Sequence, residues 1–175
     1  MTDPATTAQA VSDALADRFA ETVLTHEGGL EDNPDDPGGL TNWGFALRDN
    51  PDLTAAQIRA MTRDQAKARY IARWWAPMRW RELPPDVAVK AADAAVNMGA
   101  VWATKALQRA VRACGNAILD DGLLGSGTVA AANQADAPSL MTALRSELAG
   151  HYRLIAETRP SSAQFLTGWL NRAYG

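Results

Sequence analysis

One cysteine and two histidines in 175 residues exclude several chemistries at once. Cys114 has no partner for an internal disulfide and suits a reducing compartment. With His26 and His151 as the whole imidazole supply, a Cys/His zinc site is not expected, and nothing calls for a metal or other cofactor. No apolar run approaches the ~20 residues of a membrane span, so stable membrane insertion is not expected. The first residues, MTDPATTAQAVSDALAD, carry acids and no basic-then-apolar segment of a secretory leader. Internal repeats and low-complexity linkers are also missing. What is present is 47% apolar residues, ample for a core. The length suits one domain, or one domain with a partly separate second lobe.

Charge is unevenly spread. Residues 1–60 hold 11 acidic against 3 basic side chains, residues 61–112 hold 4 against 10, and residues 113–175 hold 5 against 4. A basic middle beside an acidic first third suits an anionic polymer held near carboxylates, and equally suits ordinary solvated helix faces. The acidic third argues against nucleic acid as a partner.

The acids concentrate in His26–Gly44, HEGGLEDNPDDPGGLTNWG. Two prolines and two glycine pairs forbid a helix there, leaving a loop or short hairpin over 30–46. Before it, Val11, Leu15, Phe19 and Val23 recur every four positions and predict a helix from about Thr6 to Glu27, ended by Gly28 and Gly29. Glu27 then stands in a helix's last turn, at the mouth of a crowd of carboxylates. Both surroundings disfavour its ionised form, the property a general acid needs.

Further along, Thr54–Gln57 and Thr62–Gln65 read as capping boxes of two helices, the second carrying Lys67, Arg69, Tyr70, Arg73, Trp74 and Trp75. Aromatic faces beside basic groups are how proteins hold sugar rings, although one of the adjacent tryptophans is expected to anchor the helix to the core. Asp86 is read as an N-cap, and alanine-rich Val87–Met98 as the central buried helix. On it Asp93 and Asn97 share a face, to be satisfied by backbone or by ligand. A helix over Val101–Ala113 should bury Trp102, a glycine-broken loop follows from Asp120 to Thr128, and Ser139 and Ser161 are read as caps of the last two helices.

Glu27-Gly28-Gly29, Asn33-Pro-Asp-Asp-Pro-Gly-Gly39 and Thr41-Asn-Trp-Gly44 resemble the signature of glycoside hydrolase family 108, the phage-endolysin-like N-acetylmuramidases. Val96-Asn-Met-Gly99 with Leu107-Gln108 resembles its later core motif. Asp121 to Thr128, with Phe165-Leu-Thr-Gly-Trp169-Leu-Asn-Arg172, resembles the associated C-terminal peptidoglycan-binding lobe. Leu30 stands where members often carry Tyr.

The resemblance implies a mainly α, lysozyme-like helical fold with a small hairpin or loop lobe at the active site. It implies a muramidase region over 1–100 and a peptidoglycan-binding lobe over 101–175, packed as one monomeric unit. Glu27 would be the catalytic acid. By similarity to phage-type lysozymes, Asp36 stands at the interval of the second carboxylate and Thr41 follows it; Asp35 fits the threonine spacing better and the glutamate spacing worse. Trp43, Tyr70, Trp75 and Asn97 are the expected glycan contacts. The implied reaction is hydrolysis of the β-1,4 bond after N-acetylmuramic acid. Cytoplasmic synthesis and passage to the cell wall through a holin are the implied delivery. A lytic transglycosylase and an inactive wall-binding module are the alternatives.

Overall fold

The computed structural model describes residues 4–32 and 39–175. Helix α1 (Pro4–His26) leads to a two-stranded hairpin of β1 (Thr41–Asn42) and β2 (Phe45–Ala46). Helices α2 (Ala55–Arg59), α3 (Arg63–Tyr70), α4 (Pro85–Met98), α5 (Ala100–Ala113), α6 (Ser126–Gln134), α7 (Ala137–Thr158) and α8 (Leu166–Tyr174) follow. The mainly helical fold with one small hairpin matches the expectation from sequence.

Local signals set many of the boundaries. Thr54 and Gln57 exchange side-chain-to-backbone hydrogen bonds at the start of α2, and Thr62 and Gln65 do the same for α3, so both capping boxes form. Three expected caps move. Pro84 occupies the N-cap of α4, while Asp86 lies inside its first turn, 2.7 Å from Arg18 of α1. Asp136 caps α7 by accepting from the Ser139 backbone N–H at 3.0 Å, which makes Ser139 the capped residue. After Pro160 the chain runs as a 3₁₀ turn to Phe165, and α8 begins only at Leu166.

The core is organised around α4, where nine consecutive residues from Val87 to Ala95 are buried. Seven of the nine are alanine or valine facing in every direction with little side-chain bulk, so α1, α5 and α7 all pack against it. From α1 come Phe19, Ala20 and Val23, fully buried; Val11 is exposed, so the stripe meets the core only from Leu15 onward. From α7 come Leu140, Leu144 and Leu148, each worth roughly 1.5–3 kcal/mol when removed from water. One apolar cluster thus runs from Ala16 to Ala173, through both halves of the chain. Trp102 is exposed instead of buried, its ring stacked on His151 at 4.6 Å.

Candidate active site

Helix α1 ends at His26, and the Glu27 N–H still reaches back to the Val23 carbonyl at 3.2 Å. Its side chain is 23% exposed, the open end of an otherwise enclosed group. Glu31 and Thr41 exchange two backbone hydrogen bonds of 2.8 Å, which brings together the two ends of the acidic loop. Asp32 pairs outward with Arg59 at 2.7 Å. Asp35 and Asp36 lie outside the described residues.

The hairpin turn consists of Trp43 and Gly44, both left-handed with φ of 51° and 79°. Two positive φ values at a two-residue turn match the twist of the flanking strands. Trp43 is not glycine, so its conformation costs on the order of 1–3 kcal/mol unless its surroundings hold it. They do. Its indole N–H donates to the Met61 carbonyl at 3.1 Å, and its carbonyl accepts from the Tyr70 hydroxyl at 3.0 Å. Beside it, buried Asn42 donates to the carbonyls of Ile58 and Met61 at 2.9 and 3.3 Å. The hairpin is thereby clamped to α2 and α3, with Gly44 seated against Glu27. A Cβ at position 44 would stand 2.6 Å from Glu27 Oε2 and closer still to Tyr70 Oη.

Two of the expected sugar contacts have other roles. Tyr70 is 2% exposed, and burial, then the nearby Glu27 charge, push its hydroxyl well above the ordinary tyrosine range. It stays a neutral donor to the hairpin and offers no ring face to a ligand. Trp75 is 4% exposed and stacks on Phe19 at 5.4 Å, so it is the anchor of the tryptophan pair. After Tyr70 the helix widens into a π turn over Ile71–Trp75, closed by the Ala76 N–H on the Ile71 carbonyl at 2.8 Å. Wide turns of this kind are often found at functional sites. This one leaves Trp74 half-buried under the Arg73 guanidinium, 4.6 Å away. Trp43 is half-buried and Asn97 exposed, donating to the Tyr152 hydroxyl at 3.1 Å. Thr41 is half-buried on β1, its hydroxyl 3.5 Å from the Gly39 carbonyl.

Sequence reasoning missed the cation in the site. Arg172, near the end of α8, places Nη1 at 3.4 Å from Glu27 Oε1. The same guanidinium donates twice to Asp93, at 2.7 and 3.1 Å, and its own backbone carbonyl accepts from Lys90 Nζ at 2.9 Å. Asp93 is 1% exposed; it is satisfied by a side-chain ion pair, neither by backbone nor by a ligand. Burial opposes the charge on Arg172, but the Asp93 bonds and charge, with Glu27, raise it above the usual arginine range. Burial lowers Lys90 and His26 from their ordinary values, which weakens them as competing cations. An aspartate on an alanine-rich buried helix was the signal that a cation had to come from elsewhere.

Two cavities flank this centre. One of about 500 Å³ lies beside the hairpin, lined among others by Phe45, Asn50, Arg69 and Arg73. A larger one, of about 730 Å³, opens on the His26 side of α1 and does not include Glu27. Glu27 lines neither of them.

Residues 20–99 match the family described as Glycosyl hydrolase 108, and residues 102–174 match the family described as Predicted Peptidoglycan domain. No curated protein matches the chain. Among solved structures, that of Brucella abortus SagA is 26% identical, covers 90% of this chain and 94% of its own, and superposes with a TM-score of 0.64.

Proposed function

We propose, for a chain in which a glycosyl hydrolase 108 domain is followed by a predicted peptidoglycan domain, that its peptidoglycan hydrolysis is the N-acetylmuramidase reaction. The observation that supports it is Glu27, a carboxyl just past a helix end, 23% exposed, held between hairpin Gly44 and Arg172. Protonated Glu27 gives its proton to the glycosidic oxygen that leaves muramic acid C1. The carboxylate so formed is received by the Arg172 N–H already directed at it.

Asp36 is proposed as the second carboxylate, stabilising the oxocarbenium-like centre or activating water, assisted by Thr41. Whether the anomer is retained or inverted follows the carboxylate separation, about 5–5.5 Å against roughly 6.5–9.5 Å. Trp43 and Asn97, which keep open surface, are the proposed glycan contacts.

Glu27→Gln tests the assignment, since it keeps size and removes the proton donor. Lysis of purified cell walls should fall by about two to four powers of ten while the circular dichroism spectrum is unchanged. Full activity in folded Glu27→Gln protein would remove Glu27 from the mechanism.

A further inference from the structure

We propose that Arg172, charge-balanced by Asp93, is a positioning residue that holds the Glu27 carboxyl in place. This rests on the reading of Glu27 as the acid.

The geometry carries the idea. Asp93 takes two short bonds from Arg172, at 2.7 and 3.1 Å, whereas Glu27 takes one long one of 3.4 Å. A bare guanidinium beside the acid would hold it ionised and defeat proton donation. With a buried carboxylate on its far side, Arg172 presents an aimed N–H whose charge is largely cancelled. Asp93 and Arg172 are 1% and 11% exposed at the side chain, so water screens the pair little. Among the described residues, the charged and titratable groups around Glu27 and its partner Arg172 are Asp93 and Lys90 from α4, His26 from α1, Tyr70 from α3, Arg73 just after it and Tyr152 from α7. Lys90 is turned to the Arg172 carbonyl, and Tyr70 to the Trp43 carbonyl, which leaves Arg172 as the group that donates to Glu27 among the described residues.

A further consequence concerns the division of labour in the chain. Arg172 lies within the stretch that matches the peptidoglycan domain, and Asp93 and Glu27 within the hydrolase match. The acid is therefore aligned across the boundary between the two matched stretches, through α8.

The two partners should act in opposite directions, which a purely structural role would not produce. Arg172→Gln leaves the Asp93 charge near Glu27, so the alkaline limb of the kcat–pH profile should move to higher pH. Asp93→Asn unmasks the guanidinium, so that limb should move to lower pH. The double variant Asp93→Asn/Arg172→Gln is neutral at both positions, and its limb should return close to the parent's. In it kcat should remain about tenfold to a hundredfold low, with KM within about twofold, because the aim of the carboxyl is lost.

The full-length variants would be assayed on soluble peptidoglycan fragments after thermal melts establish folding. Should either single variant fail to fold, the neutral double variant and Arg172→Lys carry the test. Arg172→Lys keeps the charge, so its limb should stay near the parent's while kcat falls. Limbs that move together, or a double variant with parental kcat, would overturn the proposal. If Glu27→Gln is itself active, the prior reading of Glu27 fails instead, so the two failures are distinguishable.

Discussion

Two loops of the molecule turn through a glycine at φ of 79°: Gly44 in the hairpin and Gly122 in the loop before α6. Each glycine is pressed by a neighbour. A Cβ on Gly122 would lie 2.8 Å from Val101 Cγ1, and one on Gly44 would lie 2.6 Å from Glu27 Oε2. The loops differ in how fully their polar groups are spent. Around Gly122, buried Gln108 accepts from the Gly122 N–H at 2.9 Å and donates to Asp121, the Leu123 carbonyl and Thr128 at 2.7, 3.1 and 3.1 Å. Around Gly44, Glu27 has one long bond and an open end. A closed polar network fixes a structure, whereas an underused carboxylate at a crowded turn is poised to act on something else.

Substitutions at the two glycines and their partners test that contrast. The largest effect is expected from Gly44→Ala, which forces a side chain into a left-handed turn and displaces the Glu27 carboxyl. Turnover on cell walls should fall by about a hundredfold, more than any stability loss accounts for in a melt. Next is Gln108→Ala, which strands the Gly122 N–H and the donors and acceptors it served. Urea unfolding should show a loss of about 2–4 kcal/mol, with kcat per folded molecule within about twofold. Gly122→Ala should cost less, about 1–2 kcal/mol of strain, again without a turnover defect of its own. Equal turnover losses at positions 44 and 122 would erase the distinction between the loops.

The smallest effect is expected from acid. Asp121 is held below the usual carboxylate range by the Leu123 N–H and then Gln108, and Asp136 by the Ser139 hydroxyl and N–H. Their folded values lie below the unfolded ones, so their contribution is present above about pH 4 and is lost as pH falls through the folded values. Asp121→Asn should flatten the melting temperature against pH in that window and lower the neutral-pH melt slightly, because the contribution it removes is present there. An unaltered acid slope would show that the carboxylate's charge contributes nothing there.

What the sequence disclosed follows the range of the interaction. The capping boxes at Thr54 and Thr62 are contained within four residues, and the alanine run of α4 announces burial from every side. The Glu27 helix end followed by glycines is equally local. Asp93 and Arg172 are 79 residues apart, so their meeting depends on how α8 packs onto α4, which no periodicity encodes. The burial of Tyr70 and Trp75 is not legible in the sequence for a related reason. An aromatic suits a sugar face or a core alike, and the π turn after Tyr70 decides which ring turns inward. At α7 both Asp136 and Ser139 are good capping types, and only the geometry assigns the aspartate.

The most direct measurement is the chemistry of the bond broken. Purified peptidoglycan digested in heavy-oxygen water should yield fragments with N-acetylmuramic acid at the new reducing end, carrying the label there, and Glu27→Gln protein should yield none. Fragments ending in unlabelled 1,6-anhydromuramic acid, or labelled at N-acetylglucosamine, would contradict muramidase hydrolysis by Glu27.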